Sequence, residues 1–251
     1  MRQQHRAPET VNVMGLPLSA GTFDGLANAI FAAARKGGAG HVCIANVHMF
    51  TLAQRSESLA AAIKQATFVT SDGMPLVWAL GRKGIADAER VAGPDLMDRL
   101  CGMAAAEAMP VRFFGGGEAT LKRMVAELGK RYPALAIAGT EAPPMLPQEP
   151  VFDESVASRL RVGDARIIFV GLGCPKQERW MAMYAKHVDA VFIGVGAAFD
   201  FMAGSLRRAP VWMQRAGLEW LYRLASEPRR LFKRYLVSNS LFLYYLLRRK
   251  L

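Results

Sequence analysis

The feature that most restricts the fold of this chain is a repeated unit: an unbroken apolar run, a turn, then a helix-like stretch. It occurs as "HVCIANVHMFTLAQRSESLAAAIKQA" from His41, "TFVTSDGMPLVWALGRKG" from Thr67, "VRFFGGGEATLKRMVAELGKRY" from Val111, "RIIFVGLGCPKQERWMAMYAKH" from Arg166 and "AVFIGVGAAFDFMAG" from Ala190. Apolar runs without alternation are strands buried on both faces, and helices between them make the strands parallel. The expected fold class is therefore α/β, a parallel sheet with helices on both faces. The segment 141–152, "EAPPMLPQEPVF", contains four prolines and reads as an extended connection between two units.

A sheet of this kind gathers its binding groups where strands end and helices begin. Asn46, Asp72, Gly115, Gly116, Gly117 and the stretch from Gly171 through Gly173 and Lys176 to Gln177 all fall at that edge. Each has an ordinary structural reading as well. Asp72 in "TSDGMPLVW" suits a turn or a helix N-cap. The three glycines of "FFGGGEAT" suit either a tight turn or close approach of backbone to a phosphate at a helix N-terminus. Lys176 and Gln177 suit a diphosphate and a sugar hydroxyl, or a solvated first turn behind Pro175.

Several classes are disfavoured. The glycine turns are followed by no G-K-[ST], and Lys176 stands where a third glycine of G-x-G-x-x-G would be, so neither a P-loop nor a dinucleotide fingerprint is present. Fold alone leaves a nicotinamide-dependent enzyme open. Cys43, Cys101 and Cys174 are far apart and read as buried thiols in a reducing compartment. His41 and His48 flank one strand without metal-ligand company, so no metal site is expected. "MRQQHRAPETVNVMG" lacks a signal-peptide apolar region, and no run of about 18 apolar residues exists, so the expectation is a chain that stays on the cytoplasmic side without a spanning helix.

The net charge of +11 is concentrated. Residues 205–251 hold eleven Arg and Lys against Glu219 and Glu227, a net +9, whereas the preceding 204 residues carry +2. This divides the chain into a core, 1–204, and a basic appendage, 205–251. The appendage reads as two amphipathic helical stretches separated at Pro228, with Leu231, Tyr235, Leu236, Asn239, Phe242, Leu243 and Leu246 on one stripe. Aromatic and leucine faces flanked by arginine fit an anionic membrane surface; docking on the core or on a second copy is the competing reading. A nucleic-acid partner is not expected, since no recognition motif accompanies the charge.

Taken in order, "IANVHMF", "SDGMPLVW", "FFGGGEAT", "GLGCPKQE", "GVGAAFDFMAG" and "RAPVWMQRAGLEWLYRLASEPRRLFKRYL" resemble the WecG/TagA/CpsF glycosyltransferase family over nearly the whole chain, from about Asn12. Within it, "HVCIANVHM" is most similar to β-glucosyltransferases of xanthan-type exopolysaccharide pathways. The resemblance implies a Rossmann-like catalytic core and a C-terminal membrane-binding appendage. It further implies an inverting, metal-independent transfer, with no cofactor, from a UDP-sugar to a polyprenyl-diphosphate-linked sugar at the cytoplasmic face of a bacterial inner membrane. UDP-glucose is the preferred donor on this reading and UDP-N-acetylmannosamine the alternative; a non-catalytic membrane-associated nucleotide-binding protein is the alternative of another class. The family's catalytic base maps to Asp72, its glutamine to Gln177, and its tail arginines to Arg223, Arg229 and Arg230. Many members carry Thr where this chain has Ile44, which removes a hydroxyl from that position.

Overall fold

A computed structural model describes residues 8–248, except for the side chains of Arg215, Arg230, Leu246 and Leu247. The first seven residues of the N-terminal stretch and the side chains of Arg230 and Leu246 therefore lie outside the described part.

The five units and one further strand form a single parallel sheet. Strands β3 (Gly40–Ala45), β4 (Phe68–Ser71), β5 (Val111–Gly115), β6 (Ile137–Glu141), β7 (Ile167–Gly171) and β8 (Val191–Gly194) lie in the order β4-β3-β8-β7-β5-β6. All pairs are parallel, with Ile44 beside Thr70 and Gly115 beside Gly171. Side chains on a strand alternate between faces. Along β7, Ile167 and Phe169 enter one core layer while Ile168 and Val170 enter the other. Both faces are thus apolar, which is why these strands read as unbroken hydrophobic runs.

One layer is closed by α1 (Phe23–Arg35), α5 (Gly93–Ala106), α6 (Glu118–Arg131) and α9 (Ala198–Met202) around Phe113, Phe169 and Phe199. The other is closed by α2 (Val47–Ala53), α3 (Glu57–Lys64), α4 (Met74–Arg82), α7 (Glu154–Arg161) and α8 (Lys176–Tyr184), with Trp180 stacked between Phe114 and Tyr184.

The sequence reading left several elements unnamed, among them α1, α5 and α7. An antiparallel hairpin, β1 (Glu9–Val13) and β2 (Leu16–Ala20), turns at Met14 and Gly15, both at positive φ, and covers the β4 edge, where the Ser19 hydroxyl accepts from Val69 N at 3.0 Å. Strand β6 is half exposed and interrupted by Gly139, so it lacks the continuous apolar signature. The basic tail contains three helices rather than two: the short α10 (Val211–Arg215) precedes α11 (Glu219–Ser226) and α12 (Pro228–Arg248). Helix α10 is too short for a periodic signal, whereas Pro228 does open α12, as its fixed φ favours.

Helix α12 packs along α2. The expected single stripe is split: Leu231 and Phe242 are buried, while Leu236 and Leu243 are exposed. No described helix is long and apolar enough to cross a membrane.

Candidate active site

The main cleft, about 440 Å³, opens at the carboxyl ends of β3 and β4 and is closed from the other side by α11 and α12. Asn46, Asp72 and Arg223 line it, joined by His48, Arg90, Glu219, Arg234 and Ser238. Trp78 and Trp220 also line it and are 63% and 46% exposed, respectively.

Asp72 is held by backbone. Its N–H continues the β4 to β3 ladder by donating to the Ala45 carbonyl at 2.7 Å. The cap of α4 is Gly73, with no side-chain capping bond. The N-cap explanation of Asp72 therefore fails: its carboxylate turns to the cleft because the helix starts one residue later. Asn46, by contrast, does cap its helix, accepting from Met49 N at 3.1 Å.

The partner of Asp72 is Arg90. The chain before α5 returns along β4, with Val91 N donating to the Ser71 carbonyl at 2.8 Å, and so presents Arg90 to the end of the strand. Arg90 Nη2 reaches Asp72 Oδ1 at 3.2 Å and Glu219 Oε2 at 2.8 Å. Burial pushes the Asp72 carboxyl up to about 6, against the pull of Arg90 and with a further push from Glu219. A carboxylate whose proton affinity lies near neutrality is suited to general-base work.

His48 Nδ1 lies 2.9 Å from the Ser238 hydroxyl, linking α2 to α12. Burial, followed by the nearby Arg234, pushes this imidazole down to about 4, so it is neutral at physiological pH. Arg223 sits over the Phe201 ring at 5.6 Å.

Gly115, Gly116, Gly117, Gly171, Gly173, Lys176 and Gln177 share the sheet edge and are not among the residues that line this cleft. Gly115, at φ +113°, is required by packing, because a Cβ there would meet the Gly171 backbone at 2.6 Å. Gly171 faces the Phe199 ring just as tightly, and Gly116 N donates to the Gly171 carbonyl at 3.0 Å. Gly117 caps α6 through its backbone and is exposed. Gln177 is buried; its Oε1 accepts from Gly173 N at 3.2 Å and its Nε2 donates to Glu178 at 2.8 Å. Lys176 Nζ donates to the Leu146 carbonyl at 3.2 Å. Arg229 is exposed in the first turn of α12, where the described residues show no partner for it. Ile44 is buried in the core layer of α1 and α5, with no hydroxyl to offer.

Arg90, Glu219, His48 and Arg234 were missed as site residues. Arg90 belongs to no motif and is placed only by the return of its segment along β4. Glu219 carried a usable signal, as one of only two acids in a strongly basic tail.

Among the described residues no group of three His, Cys, Asp or Glu side chains converges as metal ligands do. A family model described as the glycosyl transferase WecG/TagA/CpsF family matches residues 11–251, and the chain belongs to that family. Membership makes it a glycosyltransferase of cell-surface polysaccharide synthesis, acting between a nucleotide-sugar donor and a lipid-linked acceptor.

Proposed function

From that membership we propose that the chain transfers a hexose, preferentially glucose, from a UDP-sugar to a polyprenyl-diphosphate-linked sugar, with inversion, at the cytoplasmic face of the membrane. The observation that carries the proposal is Asp72, recessed at the end of β4 in a cleft that the basic tail completes. One carboxylate suffices for inversion. Asp72 takes the proton of the acceptor hydroxyl while that oxygen forms its bond to the anomeric carbon, and the bond to UDP breaks on the opposite face of the sugar. The electron pair of the broken bond leaves with the UDP phosphate. Arg223 and Arg234, which line the same cleft, are the cations suited to that charge.

The lipid-linked acceptor enters on the tail side in this reading. Exposed Trp212, Trp220, Leu221, Phe232 and Leu236 on α10 to α12 offer an apolar face, and the basic residues between them suit anionic headgroups. The inward face of α12 meanwhile closes the cleft, so docking on the core and contact with lipid use opposite sides of one helix.

The test is a donor screen in liposomes with a lipid-diphosphate-sugar acceptor. UDP release would be followed with UDP-glucose, UDP-N-acetylmannosamine and UDP-glucuronate, with Asp72→Asn alongside. Acceptor-dependent release from UDP-glucose, lost in the variant, is the expected result. Release from another donor alone would move the donor assignment, and silence with all donors would end the transferase reading.

A further inference from the structure

An ionic chain links α5, the tail and the cleft. Asp95 of α5 pairs with Arg208, Arg208 reaches Glu219 at 3.5 Å, Glu219 holds Arg90 at 2.8 Å, and Arg90 touches Asp72 at 3.2 Å. Charges alternate in sign along it. Glu219 is its centre: the first residue of α11, 7% exposed, and supplied by the tail.

A guanidinium beside one carboxylate normally forms a two-point fork. Arg90 does not do so here. Its Nη2 is divided between two carboxylates, and its Nε points to the Asp72 backbone carbonyl at 3.4 Å. Among the described residues the side-chain hydrogen bond to the Asp72 carboxylate comes from Arg90 and goes to Oδ1. The shorter of the two contacts goes to Glu219, so the tail carboxylate competes successfully for the cation that would otherwise clamp the base.

We propose that Glu219 is a positioning residue that holds Arg90 back from a two-point clamp on Asp72 and so leaves the base free to take a proton. The inference rests on the reading of Asp72 as the base. Among the described residues, Arg90, Glu219, Arg223, Arg234, His48 and Tyr235 are the charged and titratable groups that share the cleft with Asp72. His48 is neutral above about pH 4, and Arg223 pulls in the opposite sense to Glu219. Glu219 is therefore the group whose removal lowers the proton affinity of Asp72. Buried glutamate is an expensive way merely to anchor a tail, because its desolvation offsets much of the attraction to its partners.

The experiment is an NMR titration of the full-length chain with 13C-carboxyl aspartate, the Asp72 resonance being assigned by its loss in Asp72→Asn. Glu219→Gln is expected to lower the Asp72 midpoint by about one pH unit, with Glu219→Asp falling between it and the wild type. The acid limb of the kcat/KM profile should move with the midpoint. If Glu219→Gln does not fold, Glu219→Asp carries the test, with a smaller downward shift expected. A midpoint unmoved in folded protein overturns the proposal and leaves Glu219 as a tail anchor, even if the rate falls equally at every pH. Turnover retained in Asp72→Asn would instead defeat the reading of Asp72 as the base, while the titration would still decide the coupling.

Discussion

Two places on the carboxyl edge of the sheet looked alike as sequence: the Asp72 turn after β4 and the paired glycine turns after β5 and β7. They differ in what packing explains. Gly115 and Gly171 leave no room for a side chain, since a Cβ on either would lie 2.6 to 2.7 Å from its neighbours, so their identity follows from the fold. Asp72 caps nothing, is raised to about 6 and faces a cleft. The comparison teaches that a turn residue becomes informative about function when local structure has no use for its side chain.

Substitution at Asp72 should break the comparison most visibly. Asp72→Asn is expected to lower kcat by roughly 10²–10⁴-fold, the usual worth of a general base. The same change should stabilise the fold. The native carboxyl lies at about 6 against an ordinary 3.8, so its favourable contribution is complete below the lower value and lost as pH rises through the upper one. At neutral pH the ionised group then costs about 1–3 kcal/mol. Thermal melts of both proteins at pH 5 and pH 8 would show the gain growing with pH; a variant less stable at pH 8 would contradict the assignment.

Gly115→Ala should do the reverse, costing about 2–4 kcal/mol of stability through backbone strain and overlap with Gly171. Denaturant midpoints would measure it. The refolded fraction should keep normal turnover, and an intact fold with lost turnover would bring the glycine edge into the catalytic site.

Acidification should loosen the tail by a smaller amount. His48 favours its neutral form in the fold, so its contribution is present above pH 6.5 and lost as pH falls toward 4. Hydrogen exchange in α12 is expected to speed up across that window, and His48→Gln should remove the pH dependence. The smallest change is expected for Lys176→Ala. Its ammonium is engaged by the Leu146 carbonyl in a half-buried contact, and a hydrogen bond of this sort is worth about 1 kcal/mol. Donor KM should therefore move by less than about threefold, and a tenfold rise would place the donor diphosphate at the glycine edge.

The sheet was legible because burial on both faces leaves a continuous apolar signature in β3, β4, β5, β7 and β8. Strand β6 and the hairpin were not, since an edge strand with Gly139 and a short solvent-facing ribbon need no such pattern. Asp72 and Asn46 were legible as cleft residues from their place at strand ends, and Arg223 through the family resemblance. Arg90 and Glu219 lie 129 residues apart along the chain, and no local periodicity relates them.

Local pattern along the chain specifies the parallel α/β architecture, the strand-end position of Asp72 and the concentration of positive charge in the tail. Long-range packing is what lays the tail over the β3 and β4 ends, turns one face of α12 inward and one outward, and shares Arg90 between Asp72 and Glu219. Those outcomes depend on which distant groups meet in a desolvated cleft, where a few ångströms set the strength of charge interactions.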